Sequence, residues 1–421
     1  MNPEAFMKGK KLLILGGASV HIKVVEAAKR MGLYTIVTDY LADSPAKQIA
    51  DKHYMFNIYD VDEIVQMCRE EGVDGVISTH LDPCQRPYQQ ICEKLGLPCF
   101  GDSQQVFRMT DKHAFKKMCI ENGVDVIEEY TETDILTDRV PYPIFIKPVD
   151  SRGSRGQSVC YDKDAALQAV EFAKQESSNG DILIEKYMAG AEEVQITYFF
   201  INGEAYLVRT VDSYRGPERL QLEKVVICAL SPSKHTDEYM LGAHKNVVAM
   251  LKKLGIRNGP AFMQGFYDQG KFRFFDPGLR FPGVDYEQIF RKVFGIDLVE
   301  LAIEFAVTGQ ICLKRFPENS MNLNNNRAAV LFPVITEGTI ESISGVDLLI
   351  KDDRVISYLH RHMEGDTLSW SADVNQRLSE IDILCQDDAS LMQTIAWIWD
   401  TLDIRSTDGR QMLLPLENMP I

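Results

Sequence analysis

Apolar and polar positions follow a regular rhythm over the first hundred residues. Lys11–Leu15 reads as a buried strand, and Gly16-Gly17-Ala18-Ser19 turns the chain. Val24, Val25, Ala27, Ala28 and Met31 then share one helical face that stops at Gly32. The pattern predicts strands at Thr35–Thr38 and Gly75–Ser78 and helices at Glu63–Arg69 and Tyr88–Leu95. This β-α-β-α order implies a parallel sheet with helices on both faces. Thr110 or Asp111 is placed to cap a helix running to Asn122-Gly123, with Phe115, Met118 and Cys119 inward. From Tyr142 onward the pattern turns to strands, interrupted by one helix at Asp164–Ser177. Strands are predicted at Ile182–Ile184, Val194–Phe200, Ala205–Val208, Lys224–Leu230, Ala261–Phe266 and Phe272–Phe275. The short turns Asn202-Gly203 and Gln269-Gly270 make most of them antiparallel. Tyr239–Leu254 reads as one helix, and the residues after 330 as short strands and turns followed by a helix at Ala389–Thr401.

Composition narrows the function classes. A chain of 421 residues, 45% hydrophobic and 25% charged, is expected to form two to three globular domains. The net charge of −16 argues against nucleic-acid binding, which needs a basic face to neutralise phosphates. No apolar run is long enough to span a bilayer, and Met1–Lys11 has no signal-peptide pattern, so a cytoplasmic protein without membrane partners is expected. Nine cysteines without a Cys-x-x-Cys pair, and eight histidines at no metal-ligand spacing, fit reduced thiols better than a zinc site. Gly16-Gly17 with Asp39 some twenty residues on suggests a dinucleotide turn. The glycine spacing fails, however: Ala18 takes the second glycine's place, which leaves a tight turn in a Rossmann-like wing.

The chemistry concentrates elsewhere. Phe145–Val159 reads as a hairpin whose strand delivers Lys147-Pro148 into a loop with Arg152, Gly153, Ser154, Arg155 and Gly156. Glycines let backbone N–H groups approach a phosphate, and the cations supply charge against the acidic whole. Without a closing Gly-Lys-Ser/Thr this is not a Walker loop. Downstream come Glu185-Lys186-Tyr187-Met188, Glu192-Glu193, Gln264, and Asp276 with Gly278, Arg280 and Gly283, while Lys112 lies on a helix upstream.

In this order the elements over about residues 10–330 resemble the ATP-grasp superfamily, of the carboxylate–amine ligase type. The resemblance extends to stand-alone amino-acid ligases and to one half of the carbamoyl-phosphate synthase large subunit. It implies a mixed α/β and α+β architecture with four parts. These are a Rossmann-like pre-ATP-grasp domain (1–105), a lid region with its connecting helix (106–192), a C-terminal subdomain with the metal and phosphoryl site (193–330), and a β-rich tail packed on it (331–421).

The resemblance also implies roles. ATP is expected against Lys112, Lys147, Ser154, Arg155, Gly156, the hinge Glu185, Lys186, Tyr187 and Met188, and the ribose acid Glu193, with Glu192 as the alternative. Mg2+ is expected on Gln264 and Asp276, and catalysis on Arg280, Lys147 and Asp276. Two positions depart from the family pattern. A glutamine stands where the first metal strand often has glutamate, and Asp276 with Gly278 replaces the usual glutamate and asparagine.

The implied reaction is ATP-dependent joining of a small carboxylate, such as an amino acid, to an amine or thiol through an acyl phosphate, releasing ADP and phosphate. The alternative is a noncatalytic or weakly active ATP-binding regulatory paralogue. Arg209, Arg215 and Arg219, between strands, and His80 and Asp82, in a β-α turn, are candidate substrate contacts. An exposed apolar wing would favour a homodimer.

Overall fold

The computed structural model describes residues 7–149, 156–223, 225–283, 286–313 and 315–416. Four strands, β1 (Lys11–Leu15), β2 (Tyr34–Thr38), β3 (Lys52–Tyr54) and β4 (Gly75–Ile77), pair in parallel in the order β3-β2-β1-β4. Leu12, Leu13, Ile14 and Leu15 are fully buried, as expected of an inner parallel strand covered on both faces. The helices Ile22–Arg30, Val61–Glu71 and Gln85–Leu95 each bury one apolar face. Strand order reverses between β1 and β4, so the turns after these two strands open at one crevice. β3 was not visible in the pattern because Lys-His-Tyr has no apolar run; it forms because the edge of β2 offers a partner, Ile36 opposite Lys52.

A second sheet follows, with β5 (Glu129–Tyr130), β6 (Ile144–Pro148), β7 (Ser158–Cys160) and β8 (Ile182–Lys186) in the order β5-β8-β6-β7. The helix Lys163–Glu176 packs Ala166, Ala169, Val170 and Ala173 onto it. β6 and β7 form the hairpin expected from the sequence, with Ile144 opposite Cys160.

The largest sheet has eight strands. They are β9 (Glu192–Ile201), β10 (Glu204–Arg215), β11 (Val226–Ser231), β12 (Gly259–Asp268), β13 (Lys271–Gly278), β14 (Arg327–Leu331), β16 (Val355–His360) and β18 (Ser379–Cys385). Their order is β13-β12-β9-β10-β11-β14-β18-β16. A small sheet adds β15 (Gly338–Ser344), β17 (Thr367–Leu368) and β19 (Asp403–Ser406).

Three expectations need correction here. β10 runs twelve residues, well past Val208, so Arg209 and Arg215 lie in a strand and not between strands. Its polar half reads as loop, yet Asp212 is buried and satisfied by the Ser233 hydroxyl and the Lys234 N–H at 2.5 and 2.8 Å. The predicted helix 239–254 is two helices, Thr236–Leu241 and His244–Leu254, separated at Gly242-Ala243. Finally, residues after 330 do not simply pack on the preceding subdomain. β14 spans position 330 and pairs with β11, Cys228 opposite Leu331, so the tail continues the large sheet edge to edge. An open β11 edge would leave a row of unpaired backbone groups.

One hydrophobic core joins the N-terminal sheet to the large sheet, through Phe199, Val208 and Val211 and the helix Leu298–Thr308. That helix approaches β4 so closely that a Cβ on Gly75 would stand 2.7 Å from the Ala306 carbonyl oxygen. Gly75→Ala is therefore expected to destabilise the chain by about 1–3 kcal/mol. The readout is a lowered urea midpoint at unchanged slope; an unchanged midpoint would mean that the contact relaxes freely.

Candidate active site

On the second sheet, Lys147 of β6 lies 2.7 Å from the Glu185 carboxylate of β8, and Lys116 pairs with the other oxygen of that carboxylate. Glu185 and Lys147 are both buried. Burial by itself would raise the Glu185 pKa, but Lys147 and Lys116 outweigh it and hold the carboxyl below its ordinary range. Lys116 was not singled out from the sequence, although it stands one helical turn after Lys112 on the helix Lys112–Glu121. Asp111 caps that helix, accepting from the Ala114 N–H at 2.9 Å. Burial, and then the like charge of Lys147, hold Lys112 below the usual lysine range. The Lys147 ammonium also lies over the rings of Phe145 and Phe275, 5.6 and 5.5 Å from their centroids, and so reaches from the second sheet to β13.

Antiparallel pairing sets the next group. Gln264 of β12 faces Gln195 of β9 on one side and Asp276 of β13 on the other. Gln264 donates its amide N–H to Glu193, which also receives the Arg215 guanidinium. Glu192, the alternative ribose acid, is engaged elsewhere, with Lys234 and with His235 Nε2 at 3.0 Å. Burial, reinforced by nearby Asp82, pushes the Asp276 pKa up to about 6 against the pull of Lys112, Arg280 and Lys147. Arg280 is anchored to the N-terminal sheet: Nε donates to Asp82 at 2.5 Å and Nη1 to the His80 and Phe281 carbonyls at 3.3 and 2.9 Å. These contacts also account for Gly278, where a Cβ would stand 2.9 Å from Arg280 Cγ. An asparagine there would displace the arginine.

Thus Lys112, Lys147, Asp276, Arg280 and Asp82 act in one electrostatic field, and Gln264 and Glu193 border it. Ser154 and Arg155, with Arg152 and Gly153, lie outside the described residues. Gly156 (φ +71°) supports the hairpin: a Cβ there would meet Pro148 Cγ at 2.7 Å and Glu176 Cβ at 2.9 Å. The Lys186 and Tyr187 N–H groups donate to the Glu128 and Pro143 carbonyls at 2.9 and 3.2 Å, so the sheet uses them before any ligand can. In the first β-α turn, the Gly17 N–H donates to Asp39 at 2.8 Å and a Cβ on Gly17 would stand 2.5 Å from Ser44 Cβ. The Asp39 carboxylate, from just past the end of β2, thus occupies the Gly17 N–H.

Two outcomes follow. Lys147→Met is expected to cost about 3 kcal/mol by leaving Glu185 short of a buried counter-charge. Combining it with Glu185→Gln should cost less than the sum of the singles by at least about 1 kcal/mol in urea unfolding; additive costs would mean the two do not interact. Asp276 has its folded-state pKa raised above the ordinary aspartate value of 3.8, so its ionised form opposes folding above about pH 6, and that penalty fades as pH falls toward 4. Asp276→Asn should therefore stabilise the unliganded chain by about 3 kcal/mol at pH 8 and by nothing near pH 4. A stability gain independent of pH would contradict this cause.

Comparison with known proteins fits this geometry. Residues 106–312 match the family described as carbamoyl-phosphate synthase L chain, ATP binding domain, and residues 12–84 match the PylC-like N-terminal domain. Formate-dependent phosphoribosylglycinamide formyltransferase of Bacillus subtilis (strain 168) is 23% identical over 208 residues, 47% of this chain and 54% of that protein. The chain thus spans about half the length of this and similar curated relatives. Among solved structures, the L-amino acid ligase from Bacillus licheniformis has a TM-score of 0.75 at 18% identity, covering 95% of this chain and 99% of that one. The biotin carboxylase domain of Hydrogenobacter thermophilus 2-oxoglutarate carboxylase, solved with MgADP and bicarbonate, has a TM-score of 0.78 at 17% identity, covering 97% and 92%. Such identities speak for the fold alone. With the ATP-binding domain match lying across the second sheet and onto the large one, and the same fold recurring over nearly the whole chain, this protein has the ATP-grasp fold.

Proposed function

We propose that the chain is an ATP-dependent carboxylate–amine ligase acting through an acyl phosphate. The observation that carries this reading is the convergence of Lys112, Lys147, Asp276 and Arg280 where the second sheet, the large sheet and the β4 turn meet. Lys112 and Lys147 suit ATP phosphates as point charges. Met188, whose N–H has no partner among the described residues, remains for the adenine edge. A carboxylate oxygen of the substrate attacks the γ-phosphorus, and the bond to the β-γ bridging oxygen breaks to release ADP. The amine nitrogen then attacks the acyl carbon, the carbon–oxygen bond to phosphate breaks, and the amine gives up a proton. Arg280, held by Asp82 and two carbonyls, stabilises the negative charge that develops at these steps.

Asp276 and Gln264 fit Mg2+. Both offer hard oxygen, the Gln264 amide N–H is already spent on Glu193, and burial and the nearby Asp82 charge hold the carboxyl of Asp276 toward neutrality, which a cation would relieve. When bound with ATP, the ion would offset phosphate charge.

The second reading, an ATP-binding regulator without turnover, draws support from the sparse donor set. Among the described residues no three His, Cys, Asp or Glu side chains are grouped to hold a metal.

Phosphate release from MgATP, with the twenty amino acids offered singly and in pairs, separates the two. The ligase reading expects release that depends on particular amino acids and falls about 10³-fold in Asp276→Asn. Silence across the panel, with ATP still raising the melting temperature, would favour the regulator.

A further inference from the structure

The helix Gln85–Leu95 carries one of two facing thiols that the nucleotide reading leaves unused. This helix ends at Gly96 in the left-handed region (φ +67°), and the Leu97 N–H returns to the Cys92 carbonyl at 3.0 Å. The chain then runs back along the helix, and the Phe100 ring meets Tyr88 at 5.6 Å between centroids. The return sets the Cys99 thiol against the Cys92 thiol, with the Tyr88 side chain beside both. Cys92 is fully buried, whereas Cys99 is half-buried and open to a small reagent.

The two thiols differ in kind. Contact with Cys92, the largest cause, and the Gly101 and Phe100 N–H groups hold the Cys99 pKa below its ordinary value in spite of burial. Burial pushes that of Cys92 well up. Thiol oxidation proceeds through the thiolate, so Cys99 is the attacking sulfur and Cys92 the resolving one.

Both segments that carry these thiols touch the β12–β13 pair. The helix of Cys92 begins with Gln85, whose Oε1 accepts from the Leu279 N–H at 2.8 Å. The Gln85 amide N–H donates to Asp82 at 3.0 Å, and Asp82 in turn receives Arg280 Nε. On the other side, Phe100 and Gly101 directly follow Cys99. A Cβ on Gly101 would stand 2.6 Å from Leu279 Cδ1, and one on Gly259, where β12 starts, 2.4 Å from Phe100 Cδ1. Packing this close transmits a shift of residues 99–101 to Leu279, the neighbour of Arg280.

We propose that Cys92 and Cys99 form an oxidisable dithiol that hydrogen peroxide closes to a disulfide, and that closure slackens the hold on Arg280 through Leu279 and Gln85. The Cys99 sulfur attacks one peroxide oxygen; a sulfur–oxygen bond forms, the oxygen–oxygen bond breaks, and the departing hydroxide takes the Cys99 proton as water. The Cys92 sulfur then attacks Cys99. The disulfide forms, the sulfur–oxygen bond breaks, and the hydroxyl leaves with the Cys92 proton as a second water. Two thiols are oxidised and one peroxide is reduced. The new bond draws the sulfurs well inside van der Waals contact, which pulls the Cys99 segment toward the helix. The effect on turnover rests on the ligase reading; formation of the disulfide does not.

The full chain is treated with hydrogen peroxide and digested with trypsin without reduction. Lys94 lies between the two cysteines, so cleavage after it leaves two peptides that only a disulfide joins. The joined peptides are expected, and dithiothreitol should separate them. In the oxidised chain, hydrogen exchange at the Leu279 amide should quicken by about tenfold or more, and dithiothreitol should restore it. Amino-acid-dependent phosphate release from MgATP should fall in parallel, by about tenfold or more. Cys99→Ser should show none of these responses, and Cys92→Ala repeats the comparison should Cys99→Ser not fold. No joined peptides, or joined peptides with unchanged exchange at Leu279, overturn the proposal. Absence of phosphate release from the reduced chain overturns the ligase reading instead, and the exchange result then judges the dithiol alone.

Discussion

The candidate site depends on the pleat and register of the large sheet. In antiparallel strands successive side chains point to opposite faces. The pairing of β9, β12 and β13 therefore puts Glu193, Gln264 and Asp276 on one face and sends Glu192 to Lys234 and His235 on the other. A one-residue slip in β9 would exchange the two glutamates and withdraw the one that Gln264 and Arg215 engage. Ten-residue strands on both sides of this ladder, bound into an eight-stranded sheet, hold that register.

Charge in the cleft is organised by opposition. An acidic chain gathers Lys112, Lys147 and Arg280 at one place, and the last two are each kept there by a carboxylate contributed from another element. Glu185 holds Lys147 within the second sheet, and Asp82, from the turn after β4, holds Arg280. Arg280 also bonds to the His80 carbonyl, and the Phe281 N–H donates to the Thr79 carbonyl at 2.8 Å. The N-terminal sheet is thus bonded directly to the segment that follows β13. Movement of one against the other would break these contacts together.

The two departures from the family pattern have local physical consequences. Gly278 leaves room for Arg280 to fold back onto Asp82. Gln264 is a neutral residue that donates to Glu193, where a glutamate at that position would repel it. The result is a β12–β13 pair with one carboxylate at these two positions, Asp276, whose ionised form is opposed by burial and by Asp82.

Much of this was legible in the chain. Periodicity marked the alternating strands and helices of the first hundred residues, the β6–β7 hairpin and the helix that opens with Lys112, because each is decided by near neighbours. Ordered motifs pointed to the nucleotide-binding family. What escaped was whatever required two distant segments to meet. The polar half of β10 became a strand only because β9 and β11 pair with it, and β14, β18 and β16 joined the large sheet only because β11 offered an edge. The carbonyl partners that use up the Lys186 and Tyr187 N–H groups come from other parts of the chain, Glu128 and Pro143. Lys116 against Glu185, and Arg377 against Arg361 over Phe332, join positions that no spacing rule relates. The sequence alone determined the class of fold, since apolar spacing and motif order are local properties. Only the tertiary structure decided which charges face one another, because strand edges and buried ions take partners by proximity in space.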